Sequence, residues 1–137
     1  MSSWMSWSIL ALVFWGIWGF LPKLATKYMA AQSIIIYEVL GGLCIGLVCF
    51  YFVGMRPETH PKGIFYGSLT GIVGLLGGFF YLLAVARGKV SVVVTMTALY
   101  PIVTIGLAAL LLREPITLKQ GFGMALAVVS IILLASP

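Results

Sequence analysis

Glu38 stands alone as an acid within an apolar run, in the stretch IIIYEVLGGLCIGLV. An ionisable group in such a setting is a functional candidate by default, because lipid tolerates it poorly. The chemistry open to it is proton coupling: a carboxyl that holds a proton and releases it when a cationic substrate arrives. The competing reading is structural. Glu38 falls about 8 Å into its helix at the usual rise. Lys23 and Lys27 close the preceding helix on the same side, so a Lys–Glu pair is an equal account of it.

Five aromatics, Trp15, Trp18, Tyr37, Tyr81 and Tyr100, are candidates for lining a central cavity. Their π-faces bind cationic or amphipathic cargo, and ordinary packing is the competing account. Trp4 and Trp7 suit the headgroup belt. On the fourth apolar run, Thr95, Thr97 and Thr104 offer hydroxyls, and Pro101 frees a backbone carbonyl beside them. That group reads either as a substrate contact or as a helix bend with self-satisfied hydroxyls.

The rest of the chemical inventory is thin. There is one histidine, His60, and there are three acids in all. No zinc site or hydrolytic triad can be assembled from these. Cys44 and Cys49 sit on different faces of one helix and cannot bond to each other. The inventory argues against an enzyme and calls for no metal and no cofactor.

These residues need a scaffold, and composition dictates its class. The chain of 137 residues is 62% hydrophobic and 8% charged, against about 25% charged in a soluble domain. This is the composition of an integral membrane protein. The net charge of +5 is spread one or two residues at a time between apolar runs. Without a basic patch, nucleic-acid binding is not expected.

The hydropathy pattern predicts an all-α membrane protein with five transmembrane helices joined by short loops. They cover about 5–28, 33–53, 63–86, 91–112 and 117–135. Residues 1–137 then form a single transmembrane domain, with the two termini on opposite sides of the membrane. A signal-peptide reading of the first run fails on charge order, since MSSWMSWS has no basic residue and Lys23 and Lys27 follow the apolar stretch. Glu114-Pro115 suits the start of the last helix, where proline is tolerated and an acid meets the helix dipole. Gly42 and Gly46, then Gly67, Gly71 and, further on, Gly78, give small faces at helical spacing. Such faces let helices approach closely in lipid, and they also suit one helix sliding past another.

Orientation follows the Lys/Arg bias of short loops. Here one side would carry Arg56, Lys62, Arg113 and Lys119, and the other Lys23, Lys27, Arg87 and Lys89. The sides are even. Either the first helix settles a weak bias, or the chain inserts both ways and pairs antiparallel with itself. An odd number of spans makes two tandem copies inverted, the plan of many secondary transporters.

The pattern Trp15-Gly16-x-Trp18-Gly19, the run FFYLLAVARGKVSVVVTMTALYP and the run LLLREPITLKQGFGMALAVVSIILL resemble the EamA domain of the drug/metabolite transporter superfamily. The matching points are Ala84, Pro101, Glu114 and Gly123, and the likeness covers nearly the whole chain as one EamA-type repeat. The resemblance implies a secondary transporter of small metabolites or drugs in the inner or plasma membrane. It would work by alternating access as a homodimer, antiparallel by the charge count, with the bilayer and a small-molecule substrate as its other partners. Many relatives carry arginine early in the second helix, where this chain reads Tyr37-Glu38, so an arginine-dependent anion site does not carry over. Two alternatives stay open: a proton-coupled exporter of cationic compounds like the small multidrug resistance proteins, and a non-transporting subunit of a heteromeric flippase. The first of these has a deep acid in helix 1, which this chain lacks.

Overall fold

A computed structural model of the chain describes residues 3–135. Regular structure among the described residues is entirely helical, as lipid demands of a chain that must satisfy its own backbone polar groups. The helices fall into two compact units, Met1–Arg87 and Gly88–Pro137.

The first unit holds α1 (Ser3–Ala25), α2 (Ala31–Phe52) and α3 (Pro61–Arg87). Each boundary has a local cause. Ala30 is extended and precedes the first turn of α2. The end of α2 is a Schellman turn, in which the Met55 N–H reaches the Phe50 carbonyl at 3.0 Å and the Gly54 N–H reaches the Tyr51 carbonyl at 3.0 Å. Gly54 takes the left-handed conformation this turn requires, with φ 66°. Pro61 opens α3, where its missing N–H removes no helical bond.

Packing in this unit is concentrated at one end. Ala31 and Ile34 of α2 meet Leu82 of α3, flanked by Ala25, Ile35, Phe79 and Leu83. Leu82 and Val85 are completely buried. Two polar bonds tie α1 to α3 at the same end. The Tyr81 hydroxyl donates to the Gly19 carbonyl, and the Lys23 ammonium donates to the Val85 carbonyl at 2.7 Å. Both bonds join residues 62 apart in sequence, so α1 and α3 run parallel in fixed register. The other halves of α2 and α3 carry the glycine faces. A Cβ added at Gly42, Gly46, Gly67 or Gly71 would meet nothing within 4 Å.

The second unit holds α4 (Val90–Thr97), α5 (Tyr100–Leu107), a π-helical turn at Ala108–Leu112, and α6 (Leu118–Ala135). The α4–α5 break at Ala98 and Leu99 lies just before Pro101, which has no N–H to return to the Thr97 carbonyl one turn back. The π turn ends at Arg113, held left-handed with φ 57°.

The last helix starts within a residue of the expected 117, but its first turn is not built as expected. Glu114 and Pro115 stay in the link, and α6 begins at Leu118. Its first turn is closed by a capping box: the Thr117 N–H donates to Gln120 Oε1 at 2.8 Å, and the Gln120 N–H donates to Thr117 Oγ1 at 3.3 Å. Two N–H groups are satisfied reciprocally, which a dipole contact from Glu114 does not achieve.

Four stretches are long and apolar enough to cross a membrane: Ser3–Ala25, Ala31–Phe52, Pro61–Arg87 and Val90–Leu112. The apolar part of the last helix, Leu118–Leu133, is about 24 Å long at 1.5 Å per residue, short of a full hydrocarbon core of about 30 Å. The chain is a multi-pass helical membrane protein with four full-length spans among the described residues and this shorter fifth helix.

Candidate functional site

The packed end of the first unit brings together four of the residues singled out from the sequence. Gly78 is the floor. The position its Cβ would occupy lies 3.5 Å from Glu38 Oε2, 3.6 Å from Trp18 Cζ2 and 4.0 Å from Ile35 Cδ1. The carboxylate of α2 and the indole of α1 therefore flank one notch on the surface of α3. Gly78 is itself buried, and a Cβ there would already touch both neighbours, so glycine lets the three helices meet at this point.

Tyr81 sits one turn beyond Gly78 and backs the indole. The two rings have centroids 5.2 Å apart and are tilted by 30°, within the range of favourable aromatic pairs. Its hydroxyl is committed to the Gly19 carbonyl, so Tyr81 is 6% exposed and offers the site its ring. That bond supports a weak turn of α1: Pro22 lies inside the helix and returns no N–H to the Trp18 carbonyl.

Lys23, expected as a partner for Glu38, directs its ammonium to the Val85 carbonyl at 2.7 Å. Val85 is in the last turn of α3, where carbonyls lack helical donors and the dipole favours a cation. The sequence carries this signal only in part: Lys23 closes its helix, and the final carbonyls of a helix need donors, but spacing does not say which helix end lies beside it. Among the described residues, no ion pair reaches the Glu38 carboxylate. Glu38 is half-buried, about 10 Å along α2 from its first residue.

The remaining candidates fall elsewhere. Trp15 and Tyr37 are 62% and 60% exposed on the first unit, outside the notch. Thr97, Tyr100 and Pro101 belong to the second unit. There the Thr97 hydroxyl donates to the carbonyls of Val93 and Val94, Thr95 to Ser91, and Thr104 to Tyr100. These hydroxyls bond back into their own helix around the α4–α5 break. Of the packing glycines, Gly78 alone meets neighbouring helices among the described residues, while Gly42, Gly46, Gly67 and Gly71 face open space. The sequence marked Gly78 as a packing position and missed its part in the notch, because nothing in spacing says which helices converge on it. No cluster of metal-ligating side chains occurs among the described residues.

Comparison with known proteins gives a consistent picture. The profile of the EamA-like transporter family matches residues 2–136. An uncharacterized protein of Methanocaldococcus jannaschii is 26% identical over 127 residues, covering 93% of this chain and 92% of its own. Protein LicB of Haemophilus influenzae is 30% identical over 131 residues, covering 93% of this chain but 45% of LicB. This chain thus spans about half the length of LicB. No solved structure matches.

Proposed function

The chain belongs to the EamA-like transporter family, and on that premise we propose that it is a secondary transporter of small metabolites or drugs in the inner or plasma membrane, working by alternating access as an antiparallel dimer. The observation that carries the reading is the family match across residues 2–136.

Three features support pairing. The first is the even split of basic residues that a five-span reading puts between alternate loops, four on each side, which gives insertion no preferred direction. The second is the open glycine faces at Gly42, Gly46, Gly67 and Gly71, the surface type that joins helices in lipid. The third is that more than half of LicB lies outside its match with this chain, leaving room there for a second unit of similar size.

Glu38 carries the coupling in this reading. Protonated, its carboxyl is neutral and sits beside Ile35 and Trp18 without needing a counterion. Ionised, it needs one, because a desolvated charge is costly unless compensated. Cargo and proton therefore compete for one oxygen pair, and each is released as the other binds. Trp18 and Gly78 shape the space in which that exchange occurs.

The test of the assembly tags both termini and probes each from either side of the membrane. Labelling of the C-terminus from both sides in equal amounts is expected; labelling from one side only removes the antiparallel homodimer. The test of transport is uptake by proteoliposomes of a panel of small cations, anions and neutral solutes, with a gradient of protons as the driving force. Accumulation of at least one solute above protein-free vesicles is expected.

A further inference from the structure

Two hollows of unlike chemistry meet at the link between the π turn and α6. We propose that together they bind an aminophospholipid, phosphatidylethanolamine, with its ammonium at Glu114, its phosphate among the neighbouring basic residues and an acyl chain along α6. The occupant is a resident lipid, and the proposal does not depend on what the protein carries.

The first hollow lies between the π turn, the link and the first turn of α6 and measures about 120 Å³. Its polar lining residues are Glu114 and Gln120, and Ala108, Ala109, Pro115 and Ile116 are among the apolar ones. It opens beside a helix end that is short of donors. The Glu114 N–H reaches the Ala108 carbonyl at 3.4 Å, Pro115 has no N–H, and the Thr117 N–H goes to Gln120 Oε1. The last carbonyls of the fourth span therefore lie at the negative end of a helix dipole with few partners. Among the described residues no ion pair reaches the Glu114 carboxylate. Carboxylate and carbonyls call for a cation that donates N–H bonds. A primary ammonium has three to give, and a quaternary ammonium has none. Gln120 Oε1 accepts from both the N–H and the hydroxyl of Thr117, which leaves its NH₂ as a donor for a lipid oxygen.

The second hollow is apolar. It measures about 370 Å³, is open along α6, and shares Ile116 with the first. Gly121 and Ala125 stand one turn apart in it, as do Leu118 and Phe122. The small pair makes the floor of a groove and the large pair its wall, a seat for a stretch of acyl chain.

The setting selects a lipid as the occupant. The link separates two apolar runs, Val90–Leu112 and Leu118–Leu133, so it lies where the chain meets the headgroups. A polar hollow at the link that continues as an apolar groove along a helix offers a headgroup seat and a chain seat in the order a phospholipid carries them. The charges complement a zwitterion. Arg113 and Lys119 bracket Glu114 in sequence, and all three are exposed, which puts basic groups for a phosphate on either side of an acid for an amine. Phosphatidylglycerol would leave Glu114 uncompensated, and phosphatidylcholine would turn methyl groups toward carbonyls.

In the test, the purified full chain in detergent micelles is titrated with phosphatidylethanolamine, phosphatidylcholine and phosphatidylglycerol of identical acyl chains, and bound lipid is read by native mass spectrometry. Phosphatidylethanolamine is expected to bind at least roughly tenfold more tightly than the other two, the discrimination of about one strong contact. Glu114→Gln is expected to bring it to the level of phosphatidylcholine. Gly121→Leu fills the groove and is expected to weaken both lipids alike. A Cβ at Gly121 meets nothing within 4 Å and leucine is the better helix former, so this variant spares the fold. Glycerophosphoethanolamine, the headgroup without its chains, is expected not to displace the lipid at matched concentration. Displacement by it would make the occupant a free solute and overturn the proposal.

A measurement on the unmodified protein guards against a variant that fails to fold. A water-soluble carbodiimide activates carboxyls, the amine of a bound lipid captures the activated carboxyl as an amide, and mass spectrometry locates the adduct. The lipid adduct is expected at Glu114 severalfold above Glu58, an exposed acid of the α2–α3 loop. Equal adduct at the two acids overturns the proposal, as does phosphatidylcholine or phosphatidylglycerol binding as tightly as phosphatidylethanolamine. The transporter reading is judged separately. Solute transport by a chain indifferent to the lipid headgroup defeats the lipid site alone, and an amine lipid captured at Glu114 sustains the site whether or not a solute crosses.

Discussion

Tyr81→Phe isolates one bond of the α1–α3 clamp. The substitution deletes a hydroxyl that donates to the Gly19 carbonyl and keeps the ring that lies 5.2 Å from Trp18. An intramolecular hydrogen bond contributes about 0.5–1.5 kcal/mol net, and side-chain bonds between membrane helices average about 0.6 kcal/mol with a maximum near 1.7. Gly19 keeps a helical donor in the Lys23 N–H, so its carbonyl is not orphaned. The expected loss is therefore about 0.5–1.5 kcal/mol. Tyr81→Ala removes the ring as well. Tyr81 is 6% exposed, and truncating a buried aromatic costs about 3–5 kcal/mol. The assay is reversible unfolding in mixed micelles, titrated with sodium dodecyl sulfate and followed by far-ultraviolet circular dichroism in both directions. A Tyr81→Phe protein as damaged as Tyr81→Ala would place the stability in the hydroxyl, and one with no loss would mean the bond holds nothing; either result refutes the clamp.

The other expectations concern single features. Lys23→Met loses at least the charged bond to Val85, about 1.5–3 kcal/mol in the same unfolding assay, while Lys27→Met in the exposed turn after α1 stays within about 0.5 kcal/mol of the parent. Gly54→Ala forces a Cβ into a left-handed turn with φ 66° and costs about 1 kcal/mol, seen as a lower unfolding midpoint. Thr117→Ala opens the capping box on α6 and costs about 0.5–2 kcal/mol, read as faster hydrogen exchange at the first turn of that helix. Gly42→Leu and Gly46→Leu are combined because a Cβ at either position meets nothing within 4 Å in the chain itself. The helices are expected to stay intact while cross-linked dimer falls roughly tenfold, the effect of about 1.4 kcal/mol of lost association; undiminished dimer would place the interface elsewhere.

Much of this architecture was legible from hydropathy. Long apolar runs broken by GMRPETHPKG and by Arg87-Gly88-Lys89 leave little freedom about where helices lie, because lipid excludes unpaired backbone. The internal detail of the fourth run was less legible. Pro101 announced a disturbance, but its placement at Ala98 and Leu99 and the π turn at Ala108–Leu112 depend on how each turn recovers its hydrogen bonds. The start of α6 was readable in principle, since Thr117-x-x-Gln120 is a capping pattern, yet Glu114-Pro115 also resembles a helix start. The site was half legible. Glu38 stood out as a charge in an apolar run, and Trp18 and Tyr81 as interior aromatics. Their convergence on Gly78 was not, because it follows from the angular register of three helices, and the low amphipathicity of lipid-embedded helices hides which face turns inward.

The two ends of α1–α3 differ in a way that suits an alternating-access machine. One end is pinned by Leu82, Val85 and the bonds at Gly19 and Lys23; the other is smooth, with Gly42, Gly46, Gly67 and Gly71 open. A binding group must be held within about half an ångström of its working position by packed neighbours, and Glu38, Trp18 and Gly78 lie at the pinned end. A surface along which helices change partners must present few protruding side chains, and glycine supplies that at the other end. Conversely, a charge placed among the glycines would have had no walls to fix it, and a glycine stripe at the clamp would have removed the contacts that set the register of 62. The division follows from packing physics alone: rigidity where a ligand is proposed to be held, and smoothness where a second copy is proposed to move.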